Sequence, residues 1–517
     1  MNPQHRWEND DDNACMLSGN ADGRVSIHAL VCQTIKVALP TDFSSVLWMA
    51  SQMVTMIFVG HCLGEDGLSQ YSAGILVFNV TAMSIVSGLN SAIDTISSQA
   101  FGRNPRSSVI GETLQRALIV NMVLWIIMSV AFLNSKPIMV YVFGEAVGDG
   151  AARFLGMCPL YLLTQIITGI ISKTLYAQCL SSLVVYSNAA AALTSPVANY
   201  FLIFMGIEGA ALSQGLTGMM CAVTDVLLCL FHPEVVVREA QWPSPALCHK
   251  SGWIHFFKVG IPSLIAVCSE WWAFEVQALF AISISPLALA VFGVAMNIIS
   301  VMFSIALGLS VSASTIIGNS LGGQRPLFAS QYARFILICD VMIGICTAVA
   351  MGYFGGHIAR LYTNVPEMAS AVESVMPFVI LCHIGDSLQY CLQGVFRGAG
   401  RQEQAARGVV FTLWLVGLPA SALYVFVFNW GVRGVLGGLL TGFCFEIPLL
   451  YYLMSQWDWR VLAQEAQVLS ALQEFVVLES VFQNDESSEH DSDVSVKKEV
   501  ELEAVVYNRT DSQYKLR

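Results

Sequence analysis

From Val276 to Gln324 the chain runs for 49 residues without an aspartate, glutamate, lysine or arginine. As a single helix rising 1.5 Å per residue, that stretch would be roughly 73 Å long, more than twice the roughly 30 Å hydrocarbon core of a bilayer. It therefore has to turn back on itself. The place for the turn is Ile282-Ser283-Ile284-Ser285-Pro286, where the proline suits the first position of the following helix. The rest of the chain is built alike: of its 517 residues 12% are charged and 55% hydrophobic, against roughly 25% charged in an ordinary soluble protein. Twelve spans of about 20 residues each would use roughly half the chain, which is the apolar half observed. A soluble enzyme, a nucleic-acid binder and a secreted disulfide scaffold are excluded. Most of the 14 cysteines sit in apolar runs without metal-ligand spacing, so neither a metal nor a cofactor is expected.

Hydropathy and helix breakers place spans over 38–60, 71–97, 113–133, 153–175, 182–205 and 209–231, then over 255–281, 286–312, 333–354, 370–394, 407–429 and 433–455. This predicts an all-α polytopic membrane protein of twelve transmembrane helices. Its divisions are an amino-terminal tail (1–36), a six-helix bundle (37–231), a connector (232–252), a second six-helix bundle (253–455), an amphipathic helix (456–483) that lies on the membrane or docks on a bundle, and a disordered acidic tail (484–517). With both termini cytoplasmic, 16 lysines and arginines near the membrane fall on that side and four (Lys136, Arg153, Arg360, Arg433) on the other, which fixes the orientation by the positive-inside rule. The expected location is the plasma membrane. An internal repeat supports two halves: Gly88-Leu89, Thr95-Ile96 and Gly102 recur 220 residues later as Gly308-Leu309, Thr315-Ile316 and Gly322. Six being even, the halves share one topology and are related by a pseudo-twofold axis along the membrane normal, with cargo bound between or within them near mid-bilayer.

Carboxyl groups deep in such spans carry the functional reading. A charge at mid-bilayer costs several kcal/mol and marks a pathway or a proton relay. Glu270 lies near the middle of the seventh span and Asp386 just past the middle of the tenth. Burial favours the protonated form of a carboxyl, whereas a bound cation favours the ionised form, so one group can hold a proton or an organic cation in turn. A static buried hydrogen-bond network would use the same residues. Trp271 and Trp272 beside Glu270 could wall a cation site, although neighbours on a helix diverge by about 100° and only one can face a cavity. Glu446 is a reserve acid. Asp94 and Asp340 read as surface-near groups that snorkel or cap, and Arg397 and Arg401 read as positive-inside anchors.

Gly88 to Gly102 (GLNSAIDTISSQAFG), Ser269 to Glu275 (SEWWAFE), Gly308 to Gly323 (GLSVSASTIIGNSLGG), Gln393 to Gln402 (QGVFRGAGRQ) and Val416-Gly417-Leu418-Pro419 together resemble the eukaryotic MATE (multidrug and toxic compound extrusion) transporters, in family order across about residues 37–460. The resemblance implies two six-helix bundles forming a V and a cation antiport activity. It implies site roles for Glu270, Asp386 and Glu275, although Glu275 sits about 140° around a regular helix from Glu270. Asp386 is a methylene shorter than the family's usual glutamate, and on the eighth span Asn297 stands where many animal members carry a glutamate. The expected activity is export of organic cations or xenobiotics in exchange for protons by a monomer whose partners are its cargo, protons and the bilayer, with no nucleic acid. The alternatives are a flippase for a lipid-linked or anionic substrate, and a receptor or scaffold acting through the acidic tail.

Overall fold

The computed structural model describes residues 26–362 and 366–485; the expected acidic tail and most of the expected amino-terminal tail lie outside the described residues. Among the described residues every regular element is helical. Ten helices carry a stretch long and apolar enough to cross a bilayer. One of them, Ile27–Arg103, covers 77 residues and would be about 115 Å long if straight. It breaks at Gly64, whose φ of 69° and ψ of −162° belong to a region open essentially to glycine alone. Span 1 is thus 27–63, and span 2 runs from 65 through a π-helical turn, Asn79–Met83, into Ser84–Arg103. Adding Ser181–Leu202, a 22-residue helix with more serine and alanine, gives twelve spans.

The others are span 3, Val109–Leu133; span 4, the part of Lys136–Ala177 after a second glycine break at Gly144; span 6, Ile207–Phe231; span 7, Lys250–Ile284; span 8, Pro286–Gly322; span 9, Pro326–Tyr362; span 10, Pro366–Gly398; and span 12, Val432–Ser455. Span 11 starts as Gln402–Val409 and alternates π- and α-helical turns through Leu423–Val427, because Pro419 has no N–H for the ladder. The turn between spans 7 and 8 falls where the serine-proline pair placed it: the Ser285 hydroxyl accepts from the Ala288 N–H at 3.0 Å, and Pro286 opens the next helix. Several helices outrun their apolar stretches, since hydropathy marks the hydrocarbon region and a helix continues into the interface. Span 1 begins at Ile27, ten residues before 37, because Ala29, Leu30 and Val37 pack into the core while Cys32 and Lys36 are exposed.

The repeat is realised as a symmetric crossing of spans 2 and 8. A Cβ at Gly102 would strike the backbone of Asn319, and one at Gly322 the backbone of Gln99; Ser98 fills the space over Gly318. These pairs exchange under the 220-residue offset, as expected of a twofold contact. Further along, the contacts correspond span for span, where Gly88 abuts Leu264 of span 7 and Gly308 abuts Asp42 of span 1. The small residues of the repeat therefore let two helices from different halves approach closely.

This crossing lies at the end of the molecule where span 1 starts and span 12 finishes, hereafter the terminal end. Helix Trp459–Asp485 lies against it. Arg401 at the end of span 10 holds Glu465 at 2.6 Å, Arg103 at the end of span 2 holds Glu474 at 2.7 Å, and Gln467 donates to the Gly322 carbonyl at 3.3 Å. Leu462, Ala463, Ala466 and Ser470 are buried, whereas Val461, Val468 and Leu469 stay exposed. The close dock selects the small side chains of the helix and leaves half of its apolar stripe outside.

Candidate functional site

Span 10 positions the site. Asp386, Gln389, Gln393 and Arg397 follow at offsets of three, four and four, which puts all four on one face of the helix. Span 7 brings Glu270 against that face. Gln389 donates its amide to one carboxylate oxygen of Glu270 at 2.9 Å, and Gln393 donates to the other at 3.3 Å. Gln389 also reaches Asp386, at 3.5 Å, and Gln393 bonds Gln389. Glu270 and Asp386 are each 5% exposed. The structure thus brings the two principal predicted acids together, joined by amides that the sequence reading did not single out.

Two further acids complete the group. Asp340 of span 9, read from sequence as surface-near, is buried and accepts from the Ser387 hydroxyl at 2.6 Å. Glu446 of span 12 is buried and accepts from Thr412 at 3.1 Å. Asp386 is within electrostatic reach of Glu270 and Asp340, and Glu446 within reach of Glu270 and Asp386. One oxygen of Asp340 and one of Glu446 have no hydrogen-bond partner. All hydrogen bonds recorded to these four carboxyls come from neutral amides and hydroxyls, and such partners allow a carboxyl to change charge without stranding an opposite one.

The other predicted site residues stand apart. Glu275 is half-buried and takes no part in the hydrogen bonds around Glu270, as its 140° offset requires. Trp272 donates its indole N–H to the Val80 carbonyl at 3.1 Å, in the π-helical turn of span 2, where an α-helical bond is missing. It bridges the halves there, whereas Trp271 is half-buried. Asn297 is exposed on span 8.

In the amino-terminal half, Asp94 is buried at the terminal end with Lys173 of span 4 at 2.6 Å and the Arg397 Nε at 3.7 Å. Neither Asp94 nor Arg397 is the surface-near group expected, because the crossing of spans 2 and 8 covers both. Arg397 is 8% exposed. Lys173 also lines a cavity of about 200 Å³ with Ser44, Asn90, Gln165, Tyr176 and Asn188. The stripe from Asp386 to Arg397 was the available signal for the missed residues: four polar groups at helical spacing on one face of an apolar span.

Comparison with known proteins bears on this arrangement. A family model described as MatE matches residues 40–201 and again 262–423, once in each half. The Arabidopsis thaliana Protein DETOXIFICATION 48 is 29% identical over 444 residues, covering 84% of this chain and 82% of that protein. Multidrug and toxin extrusion protein 1 of Danio rerio is 27% identical over 453 residues, covering 86% and 75%. The crystal structure of the eukaryotic MATE transporter AtDTX14 superposes with a TM-score of 0.77 at 25% identity, covering 85% of this chain and 99% of that one.

Proposed function

The chain belongs to the MatE family of efflux transporters, and from that premise we propose that it is an antiporter which exports organic cations in exchange for protons. The observation that carries this reading is the cluster of Glu270, Asp386, Asp340 and Glu446, buried together on neutral hydrogen-bond donors. An ionised Glu270 accepts from both Gln389 and Gln393. A proton arriving from outside bonds to one of its oxygens, turns that oxygen into a donor, and sets it against the amide N–H aimed at it. Protonated Glu270 no longer neutralises a cation, which leaves outward; loss of the proton toward the cytoplasm restores the negative charge. Proton and cation thereby compete for one charge, and that competition is the coupling. Trp272 and Asn297 offer a ring face and a neutral amide to the cargo, and Glu275 is a second negative group on the same helix.

The flippase reading for an anionic substrate has one lysine in its favour, Lys173 on the cavity wall, and Asp94 already neutralises it. The test is flux in proteoliposomes. An imposed pH gradient is expected to drive uptake of a labelled quaternary ammonium ion, and Glu270→Gln or Asp386→Asn each to lower that exchange by about 100-fold while the variants remain folded. Normal exchange in both variants defeats the mechanism. A scaffold acting through the tail predicts loss of function on deleting residues 484–517, and the antiporter predicts that flux survives.

A further inference from the structure

Span 10 ends at Gly398, and the last carbonyls of a helix have no partner within it. Two of them are taken by the opposite half: the Thr95 hydroxyl donates to the Arg397 carbonyl at 2.6 Å, and the Gln99 amide donates to the Gly398 carbonyl at 3.1 Å. Gln402 closes the set by bonding Thr95. The Arg397 side chain turns the same way. Its guanidinium donates to the Ser310 hydroxyl of span 8 at 2.6 Å, lies 5.0 Å over the Tyr390 ring, and presents Nε to Asp94 at 3.7 Å. Asp94 in turn holds Lys173 of span 4. One arginine therefore gathers spans 2, 4, 8 and 10, from both halves, at the terminal end of the cleft.

The repeat shows that this contact is an addition to the symmetric crossing. The residue 220 positions after Asp94 is Ser314, so the twofold pattern of glycines and serines has no second carboxylate to match. The arginine also stands one turn from Gln393, and its charge acts on Glu270 at longer range. The stripe Asp386, Gln389, Gln393, Arg397 thus covers 12 residues, about 16 Å along the helix, from the carboxyl cluster to the seam between the halves.

We propose that Arg397 is a positioning residue of the transport cycle: it holds span 10 against Asp94, which it shares with Lys173, shuts the seam between the halves at the terminal end, and links that closure to the amides that hold Glu270. The proposal rests on the antiport reading for what the closure serves, and its test reads the closure directly. Cys179 sits in the seam, its sulfur 3.2 Å from the side-chain amide of Asn319. In the orientation that satisfies its neighbours, that amide donates to the Ser98 and Ala177 carbonyls. Cys179 is half-buried there, so its rate of alkylation rises when the seam parts.

The experiment uses the full-length protein in proteoliposomes, a membrane-impermeant maleimide supplied from the terminal side, and mass spectrometry of the Cys179 peptide. Arg397→Gln is expected to raise the alkylation rate of Cys179 about tenfold, since a hydrogen bond to a charged group is worth at least that factor in an equilibrium. It is also expected to lower the kcat of exchange about tenfold and leave the KM for the cation within about twofold, because the carboxyl cluster is intact. Arg397→Lys keeps the charge but not the planar fork over Tyr390, and should leave the alkylation rate between those of the wild type and Arg397→Gln. Asp94→Asn removes the partner without touching span 10 and should reproduce the exposure, which covers the case of an Arg397→Gln chain that does not fold. Folded Arg397→Gln with Cys179 as protected as in the wild type overturns the proposal, as does folded Asp94→Asn with Cys179 equally protected. A wild-type protein without pH-driven flux overturns the antiport reading instead, and the Cys179 measurement still decides the seam.

Discussion

The two halves bury their acids in different company. In the amino-terminal half Glu112 is paired with Arg116 at 3.4 Å, both almost fully buried, and Asp94 with Lys173 at 2.6 Å. In the other half Glu270, Asp386, Asp340 and Glu446 are held by glutamine, serine and threonine. A carboxylate facing a buried cation resists neutralisation, because losing its charge strands the partner. A carboxyl among neutral donors faces no such penalty and can exchange a proton for a cation. Two acids blur the contrast: Asp42 accepts the Gly308 N–H of the opposite half at 2.9 Å, and Asp225 is buried with neither oxygen bonded. The lesson is that topology repeats between the halves while electrostatic character does not, so one half can serve as a rigid frame and the other as the switch.

That contrast can be broken or sharpened by substitution. The largest effect is expected at Arg116→Met, which strips Glu112 of its buried partner at a cost of about 3–5 kcal/mol. Equilibrium unfolding in mixed micelles measures it, and the double variant Glu112→Gln, Arg116→Met should regain most of the loss. A cost below about 1 kcal/mol for the single change would show that the pair is not a locked one. Next comes Glu446→Gln. Its amide oxygen still accepts from Thr412, so stability should stay within about 1 kcal/mol of the parent in the same assay. A large loss would mean that Glu446 belongs with the locked acids. Smallest is Glu474→Gln at the half-exposed bridge to Arg103, where about 0.2–1 kcal/mol is expected.

Much of this was legible in the sequence, for reasons that differ by level. The long uncharged run forced a reversal, and the serine-proline pair located it. The glycines spaced 220 residues apart announced the repeat, because close helix crossings tolerate few other residues. Glu270 and Asp386 could be singled out since an acid deep in an apolar span is costly. Gln389 and Gln393 were legible only as part of the polar stripe on span 10; nothing local tied them to Glu270, 119 and 123 residues away, and an amide in a span is cheap enough to pass as filler. Arg397 was misread for a related cause. Proximity to a span end says how far a charge is from water along the chain, and here a second helix supplies the cover from across the cleft. Asp340 repeats the error on span 9.

The helix Trp459–Asp485 has a consequence for how the protein is made. It is the last of the described elements to leave the ribosome, and its anchors, Arg103, Gly322 and Arg401, are all synthesised earlier, the first of them more than 350 residues before. During translation the two halves can insert, pair and cross without this brace across their terminal ends. The brace can close only after the twelfth span has been made, so its ion pairs with Arg103 and Arg401 cannot form while the earlier helices insert.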